Sequence, residues 1–453
     1  MKILFVNSPV IRFGTDSPEH DQRLLSPLLR TKLRFHKYPA VYHLLDRLGV
    51  GKGARFGVRA GSRWPWTMNA PHGGPPYPFI MGYAAALLKS NGFEVAIIDA
   101  VAEEEYSYEK FLEQVRNEHA DIVVIECSTP TIDIDLWMAK EISSFTRVAL
   151  AGPHLTANAP EIMEQCPHIT YLLKGEYIES ALKMARSQQP GIYESEVITD
   201  LDSIPFPFRD YRTSTKYFDP TMPTPRPQLQ IYGSKGCPFK CTFCLWPQTM
   251  YQGKVTLRKP EKIAEEIRYC VEKYGYRSIF FDDDTFNLGT ERISRLCDEL
   301  KQIDLPWTMM GRLDCSPDWL YDKMVDAGCV GMRFGIETFN LEILKNISKG
   351  IERIDFKKTL EHLSQSYPGL YLHVTMMKDL PGQTEEIHKN DMQILHEMGF
   401  STHNVFRSYQ LAACAPFPGT KMYEDMVKEH GALLREFSKY DGGQETVMRE
   451  VNR

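Results

Sequence analysis

The stretch Gly233–Pro247 reads GSKGCPFKCTFCLWP. It gathers Cys237, Cys241 and Cys244 at C-x3-C-x2-C spacing, three of the chain's ten cysteines within eight residues. Neither cysteine nor histidine occurs between Cys244 and Cys270. A structural zinc needs a fourth protein ligand close by, and a fully protein-ligated iron–sulfur cubane needs four cysteines. Three thiolates from one tight loop leave one iron unsaturated, and an open metal position is where a substrate binds. Gly236 and Pro238 bend the loop so that the sulfurs converge, and Phe243 screens them from water. Three unrelated core thiols are the plain alternative, and the clustering argues against it.

This loop opens a series of alternating strands and helices. Strands are expected at Leu229–Gly233, Ser278–Asp282, Trp307–Met310, Val330–Ile336, Leu370–Met377 and Asn404–Tyr409, and helices at Pro260–Lys273, Thr290–Gln302, Asp318–Ala327, Asp355–Gln365 and Glu385–Met398. Six βα-type units imply a partial or full barrel, whose chemistry gathers at the carboxyl ends of its strands. The cysteine loop follows the first of them.

Upstream lies a second alternating series. Lys2–Asn7, Glu94–Asp99, Asp121–Glu126, Arg147–Gly152 and Ile169–Lys174 are β-branched-rich runs separated by helical patterns, as a doubly wound parallel sheet requires. Ligands of such sheets bind beyond the carboxyl ends of the strands. Those ends carry Ser8, Ser128, Thr129, Gly152, Pro153, His154, Gly175 and Glu176, small or polar residues that let a large flat ligand approach the backbone; ordinary βα-turn chemistry is the alternative. An insertion at about 10–76 holds Arg30, Lys32, Arg34, Lys37, Arg55, Arg59 and Arg63, and its Gly57–Trp66 stretch suits a binding loop. The excess charge there suits an anionic ligand or a solvated face.

The expected domains are a Rossmann-like unit over 1–190, a proline-rich linker over 191–228, a barrel over 229–410 and a C-terminal extension over 411–453. A net charge of −6 gives no basic footprint, which argues against nucleic acid as the main partner. Hydrophobic residues at 43% and charged ones at 25% are ordinary globular usage. No apolar run reaches the length of a membrane span. Ten cysteines with no export signal fit a reducing compartment, so a cytoplasmic enzyme is expected.

The sequence CPFKCTFC, C-x3-C-x-aromatic-C, resembles the signature of the radical S-adenosylmethionine (SAM) superfamily, and nearly the whole chain is similar to its cobalamin-dependent branch. The resemblance implies that Cys237, Cys241 and Cys244 hold a [4Fe–4S] cluster whose fourth iron is chelated by SAM. By the same resemblance Asp283 and Asp284 in IFFDDDTFN help position SAM's polar end. Arg312 in GRLDCSPDWL pairs with its carboxylate, and Glu337 and Thr338 in GMRFGIET lie near its ribose. LPGQTEE and PFPGTKMYE are similar to further family segments. Helix-dipole pairing, structural ion pairs and plain turns are the other readings of these residues.

YPFIMGYAAALLKSNGFEVAIIDA and AGPHLTANAPEIMEQCPHITYLLKGEYIESAL look like the branch's cobalamin-binding domain, here without the D-x-H-x-x-G motif, so the lower ligand of cobalt is left open. His154 is read as a turn residue lining the corrin pocket. The implied activity is methylation of an unactivated carbon of a small-molecule substrate, using methylcobalamin and a 5′-deoxyadenosyl radical. A flavodoxin-type reductase supplies the electrons. The alternative is a cyclisation or rearrangement without methyl transfer.

Overall fold

The computed structural model describes residues 1–12, 29, 32, 38–50, 55–57, 67–68, 74–351, 355–443 and 446–452. They divide into two compact units. The first comprises Met1–Glu196, Pro207–Thr213 and Arg435–Gln444, and the second Val197–Phe206, Ser214–Leu434 and Glu445–Arg453.

In the N-terminal unit, β1 (Lys2–Asn7), β2 (Glu94–Asp99), β3 (Ile122–Glu126), β4 (Arg147–Ala151), β5 (Tyr171–Leu173) and β6 (Gly191–Tyr193) form a parallel sheet in the order β2-β1-β3-β4-β5-β6. The first strand pairs Lys2 with Glu94 on one side and Ile3 with Ile122 on the other, which puts the reversal of strand order beside it. Leu4, Val6, Val123, Ile125, Val148 and Leu150 form one core face with Phe111 of α2 (Tyr108–Asn117), Met138 of α3 (Ile132–Ser143) and Leu155 of α4 (Pro153–Gln165). Helices α1 (Phe79–Ser90) and α5 (Ile178–Ser187) pack on each other, α1 also on β2 and α5 on β5 and β6. The central strands β1, β3, β4 and β5 are buried on both sides because their runs are apolar, as a doubly covered sheet demands, while the edge strand β6 is partly exposed.

The C-terminal unit carries β7 (Gln228–Ile231), β8 (Ser278–Phe281), β9 (Trp307–Gly311), β10 (Cys329–Glu337), β11 (Tyr371–Lys378) and β12 (Arg407–Ala413), parallel and in sequence order. This is the (β/α)6 arrangement of a partial barrel. Here alternate residues diverge. Leu229, Ile231, Ile279, Phe281, Trp307 and Met309 pack under α6 (Pro260–Tyr274), α7 (Thr290–Ile303) and α8 (Asp318–Asp326). The opposite face offers Gln230, Phe280 and Thr308 in one register row and Arg333, His373 and Ser408 in another. The second row is tied off: Arg333 pairs with Asp219 at 2.6 Å, and His373 Nδ1 lies 2.9 Å from Ser408 Oγ. Further along the chain lie α9 (Phe356–Ser366), α10 (Glu385–Glu397) and α11 (Lys421–His430), with shorter helices at Leu341–Asn346 and Met448–Val451.

The proline-rich stretch is shared between the units. Residues 207–213 belong to the first, and Ser214–Pro227 line the second, where Tyr276 donates to the Ser214 carbonyl at 2.8 Å and Ser278 to that of Pro225 at 2.6 Å. Of the basic insertion, Lys32 is buried and satisfied, donating to the Val50 carbonyl at 2.8 Å and lying over the Tyr42 ring. Arg55 and Gly57 lie in a short strand, while Arg30, Arg34, Lys37, Arg59 and Arg63 lie outside the described residues. No helix among the described residues is long and apolar enough to cross a membrane.

Candidate functional site

After β7 the chain makes a two-residue antiparallel ladder, Ser234–Lys235 against Thr256–Leu257, and turns into the cysteine loop. Gly236 takes φ +79°, and a Cβ there would collide with the Lys254 carbonyl, so only glycine fits this turn. The loop is braced from several directions. Asp283 accepts from Gly233 N–H at 2.8 Å and Ser234 O–H at 2.7 Å, and Asp284 accepts from Gly236 N–H at 2.9 Å. The Gln248 side-chain amide donates to the carbonyls of Cys241 at 3.2 Å and Cys244 at 2.7 Å, while its oxygen accepts from Lys421 N–H at 2.8 Å. Thr242 donates through its backbone to Ile347 at 3.0 Å and accepts from Met422 at 3.0 Å. Phe243 packs against Ile343, Ile347, Met377 and Met422.

All three loop cysteines are free thiols, Cys241 is buried, and Cys237 lies 3.2 Å from Thr285 Oγ1. Burial above all, reinforced by neighbouring Cys241 and Asp284, pushes the Cys244 thiol well above its ordinary range; burial also raises Cys237. Two cations stand over them. Arg312 sends Nη1 to within 3.9 Å of Cys241 Sγ and stacks on Phe239 at 3.6 Å, while its Nε and Nη2 are held by Asp314 at 2.9 and 2.8 Å. Lys349 pairs with Glu337 at 2.7 Å and both are buried; desolvation pulls the ammonium's pKa down, but the Glu337 charge and hydrogen bond together with Cys241 raise it overall, so it stays charged. Two thiols that resist ionising alone, Cys237 and Cys244, beside fixed positive charge, suit a cationic metal centre that must draw thiolates. Among the described residues no three His, Cys, Asp or Glu side chains are set for a single metal ion. A cubane spreads its ligands wider than a mononuclear ion does, so the loop fits a cluster better than zinc.

The other expected SAM residues are placed as follows. Asp283 is fully buried, and burial pushes its carboxyl up to about 7. Glu337 ends β10 at φ +70°, where the register shifts past Gly335. Thr338 is committed to Asp391, donating at 2.6 Å, and Gln383 also donates to that carboxylate at 3.2 Å. Sequence reasoning did not single out Gln248, Lys349 or Asp391. Gln248 alone carried a signal, four residues beyond the last cysteine of the loop.

The N-terminal unit brings its own candidates to one sheet edge. Ser8 follows β1, is fully buried, and its hydroxyl has no hydrogen-bond partner among the described residues. After β3, Ser128 and Thr131 share a 2.9 Å hydrogen bond, and Thr131 donates to Asp135 at 2.7 Å. Gly152, at φ +114°, packs so tightly on the Cys127 carbonyl that a Cβ would clash, and Pro153 starts α4. His154 Nδ1 lies 3.1 Å from Thr129 Oγ1 and Nε2 lies 3.4 Å from the Asn158 amide. Burial pushes the imidazole down to about 4, so it is neutral at physiological pH. Gly175 N–H donates to Thr156 at 2.9 Å, and Glu176 beside it is buried. Hydroxyls, a glycine cradle and one orphaned serine at a switch point fit a broad ligand with amide-rich edges, as a corrin has.

Comparison with known proteins agrees with both edges. The radical SAM superfamily model matches residues 231–393, and the B12-binding domain model matches residues 66–183. The chain is 27% identical over 396 residues to an uncharacterized methyltransferase, PH0819, of Pyrococcus horikoshii, covering 81% of this chain and 82% of that protein. It is 22% identical over 400 residues to the anaerobic magnesium-protoporphyrin IX monomethyl ester cyclase of Rubrivivax gelatinosus, covering 80% of this chain and 68% of that one. Its fold is similar to that of the radical SAM methyltransferase TsrM from Kitasatospora setae, with TM-score 0.59 and 18% identity over 79% of this chain and 75% of that one. The chain thus carries a match to a B12-binding domain followed by a match to a radical SAM domain, the pairing that marks cobalamin-dependent radical SAM enzymes.

Proposed function

We propose that this chain is a cobalamin-dependent radical SAM methyltransferase that places a methyl group on an unactivated carbon of a small molecule. The observation that carries the reading is the joining, in one chain, of a three-cysteine radical SAM loop to a B12-binding unit. Cys237, Cys241 and Cys244 would hold a [4Fe–4S] cluster, with one iron left for SAM. When bound, the cluster supplies the electron that cleaves SAM to a 5′-deoxyadenosyl radical, and cobalamin supplies the methyl group.

The chain's own residues prepare that chemistry. Gly236, Asp284 and Gln248 hold the loop in one shape, so the sulfurs need little rearrangement to bind iron. Arg312 and Lys349 offset the negative charge that three thiolates bring, and Phe243 limits water. Asp283, Asp284, Arg312, Glu337 and Thr338 are assigned to SAM's polar end and ribose. Ser8, Ser128, Thr129, Gly152, Pro153, His154, Gly175 and Glu176 are assigned to cobalamin. We infer a reducing cytoplasm as the setting, a reading that ten cysteines free of disulfides support, and a flavodoxin-type reductase as the electron donor.

The test is anaerobic turnover with methyl-labelled SAM after iron–sulfur reconstitution. Wild-type protein should form 5′-deoxyadenosine and pass label into a product heavier by a methyl group. Deoxyadenosine with an unlabelled product would favour cyclisation, which the similarity to a cyclase keeps in view. No deoxyadenosine at all would end the radical reading.

A further inference from the structure

After Leu434 the chain leaves the barrel unit before rejoining it. Residues 435–443 pack within the N-terminal unit. There the short 3-10 turn Phe437–Lys439 lies on the 3-10 turn Thr129–Thr131 that follows β3. The Phe437 ring meets the imidazole of His154 edge to face, 4.6 Å between centroids at 80°. Thr129 and His154 are themselves joined, so the loops after β3 and β4 form one platform with Phe437 on it. The segment is pinned by Tyr440, which is fully buried 5.8 Å from Phe437. Phe437 itself is only half-buried, although it packs beside the two loops where a doubly wound sheet takes its ligand.

We propose that Phe437 is a wall of the cobalamin pocket and that residues 435–443 strap the corrin to the N-terminal unit. This rests on the cobalamin reading above and adds residues far outside the B12-binding match at 66–183. An aromatic ring on the two ligand-facing loops must either line the cofactor or compete with it. The buried Tyr440 favours lining, because its burial anchors the segment and Phe437 need not be displaced to pack on a new apolar surface. His154 supports this platform: one nitrogen faces Thr129, the other Asn158, and Phe437 covers the ring edge-on.

The test uses full-length protein and hydroxocobalamin, with binding read by quenching of tryptophan fluorescence and by corrin retained after desalting. Phe437→Ala should weaken binding about tenfold or more, as loss of a large apolar contact implies, while iron and sulfide per chain stay at wild-type values. Phe437→Leu should fall between. Unchanged or tighter binding by Phe437→Ala would overturn the proposal, the latter marking the ring as a competitor. Should the alanine variant not fold, hydrogen exchange on the wild type decides. Amides of 436–441 should slow when hydroxocobalamin is added while those of α11 do not, and equal rates with and without it would overturn the strap. A wild type that retains no corrin fails the cobalamin reading itself, a separate outcome from a wild type that binds while Phe437 is indifferent.

Discussion

The two sheet edges solve opposite problems. In the N-terminal unit the edge is mostly uncharged: Ser8, Thr129, a neutral His154 and a glycine cradle, with Asp135 held by Thr131 and Glu176 as a buried carboxylate beside them. In the C-terminal unit it is crowded with charge. Arg312 with Asp314, Lys349 with Glu337, and Asp283 with Asp284 surround three thiols within one layer. A wide ligand bound by shape needs close backbone approach and few fixed charges, whereas a metal cluster with an amino-acid cosubstrate brings charges that the protein must meet in a low-dielectric setting. The same parallel architecture serves both because the edge residues, not the sheet, set the local electrostatics.

The sharpest way to break this contrast is Cys241→Ala. It should abolish iron incorporation and all SAM cleavage while hydroxocobalamin retention stays at wild-type levels; joint loss of both would show the two edges are not independent. Next in size, Lys349→Met strands Glu337 as a buried charge and should cost about 3–5 kcal/mol in the C-terminal unit alone, read by urea unfolding with unit-resolved hydrogen exchange.

The edges should also respond to acid in opposite senses. His154 titrates at about 4 in the fold against an ordinary 6.5, so the N-terminal unit should lose stability as pH falls from 6.5 towards 4. Asp283, at about 7 against an ordinary 3.8, is protonated more readily folded than unfolded, so over the same range its unit gains stability. Each slope is at most about 1.4 kcal/mol per pH unit. In metal-free protein His154→Gln should flatten the first slope and Asp283→Asn the second. Smaller still, Thr129→Ala removes one hydrogen bond from the platform and should loosen corrin by about 1 kcal/mol, roughly fivefold, at unchanged iron content. Smallest is Cys315→Ala. This thiol lies close enough to Arg312 and Cys237 to feel their charge, yet iron and sulfide per chain should not change; a fall would make it a fourth cluster ligand.

Much of this was legible because apolar runs and cysteine spacing are local signals. The first two strands of the N-terminal sheet lie where their β-branched runs end, at Asn7 and Asp99. The last barrel strand was placed too early. Asn404 folds its side chain onto the amides of Phe406 and Arg407, at 3.0 and 3.2 Å, making a turn that delays pairing until Arg407. The stretch 214–227 looked like a spacer because its partners, Tyr276 and Ser278, are set by tertiary packing rather than pattern. Lys349 reaches Glu337 through a loop with no periodicity, and Phe437 meets His154 across most of the sequence. Contacts of that kind leave no trace in spacing or composition. The alternation of polar and apolar residues along β7 was visible, but that its polar face would turn away from the helices was not.

The return of residues 435–443 to the first unit has a consequence for biosynthesis. A ribosome finishes the Rossmann-like sheet and its β-to-α turns long before it makes Phe437 and Tyr440, so the nascent unit exposes its ligand edge until those residues emerge. Loading of a bulky cofactor therefore has an open window during synthesis, and residues 435–443 close it.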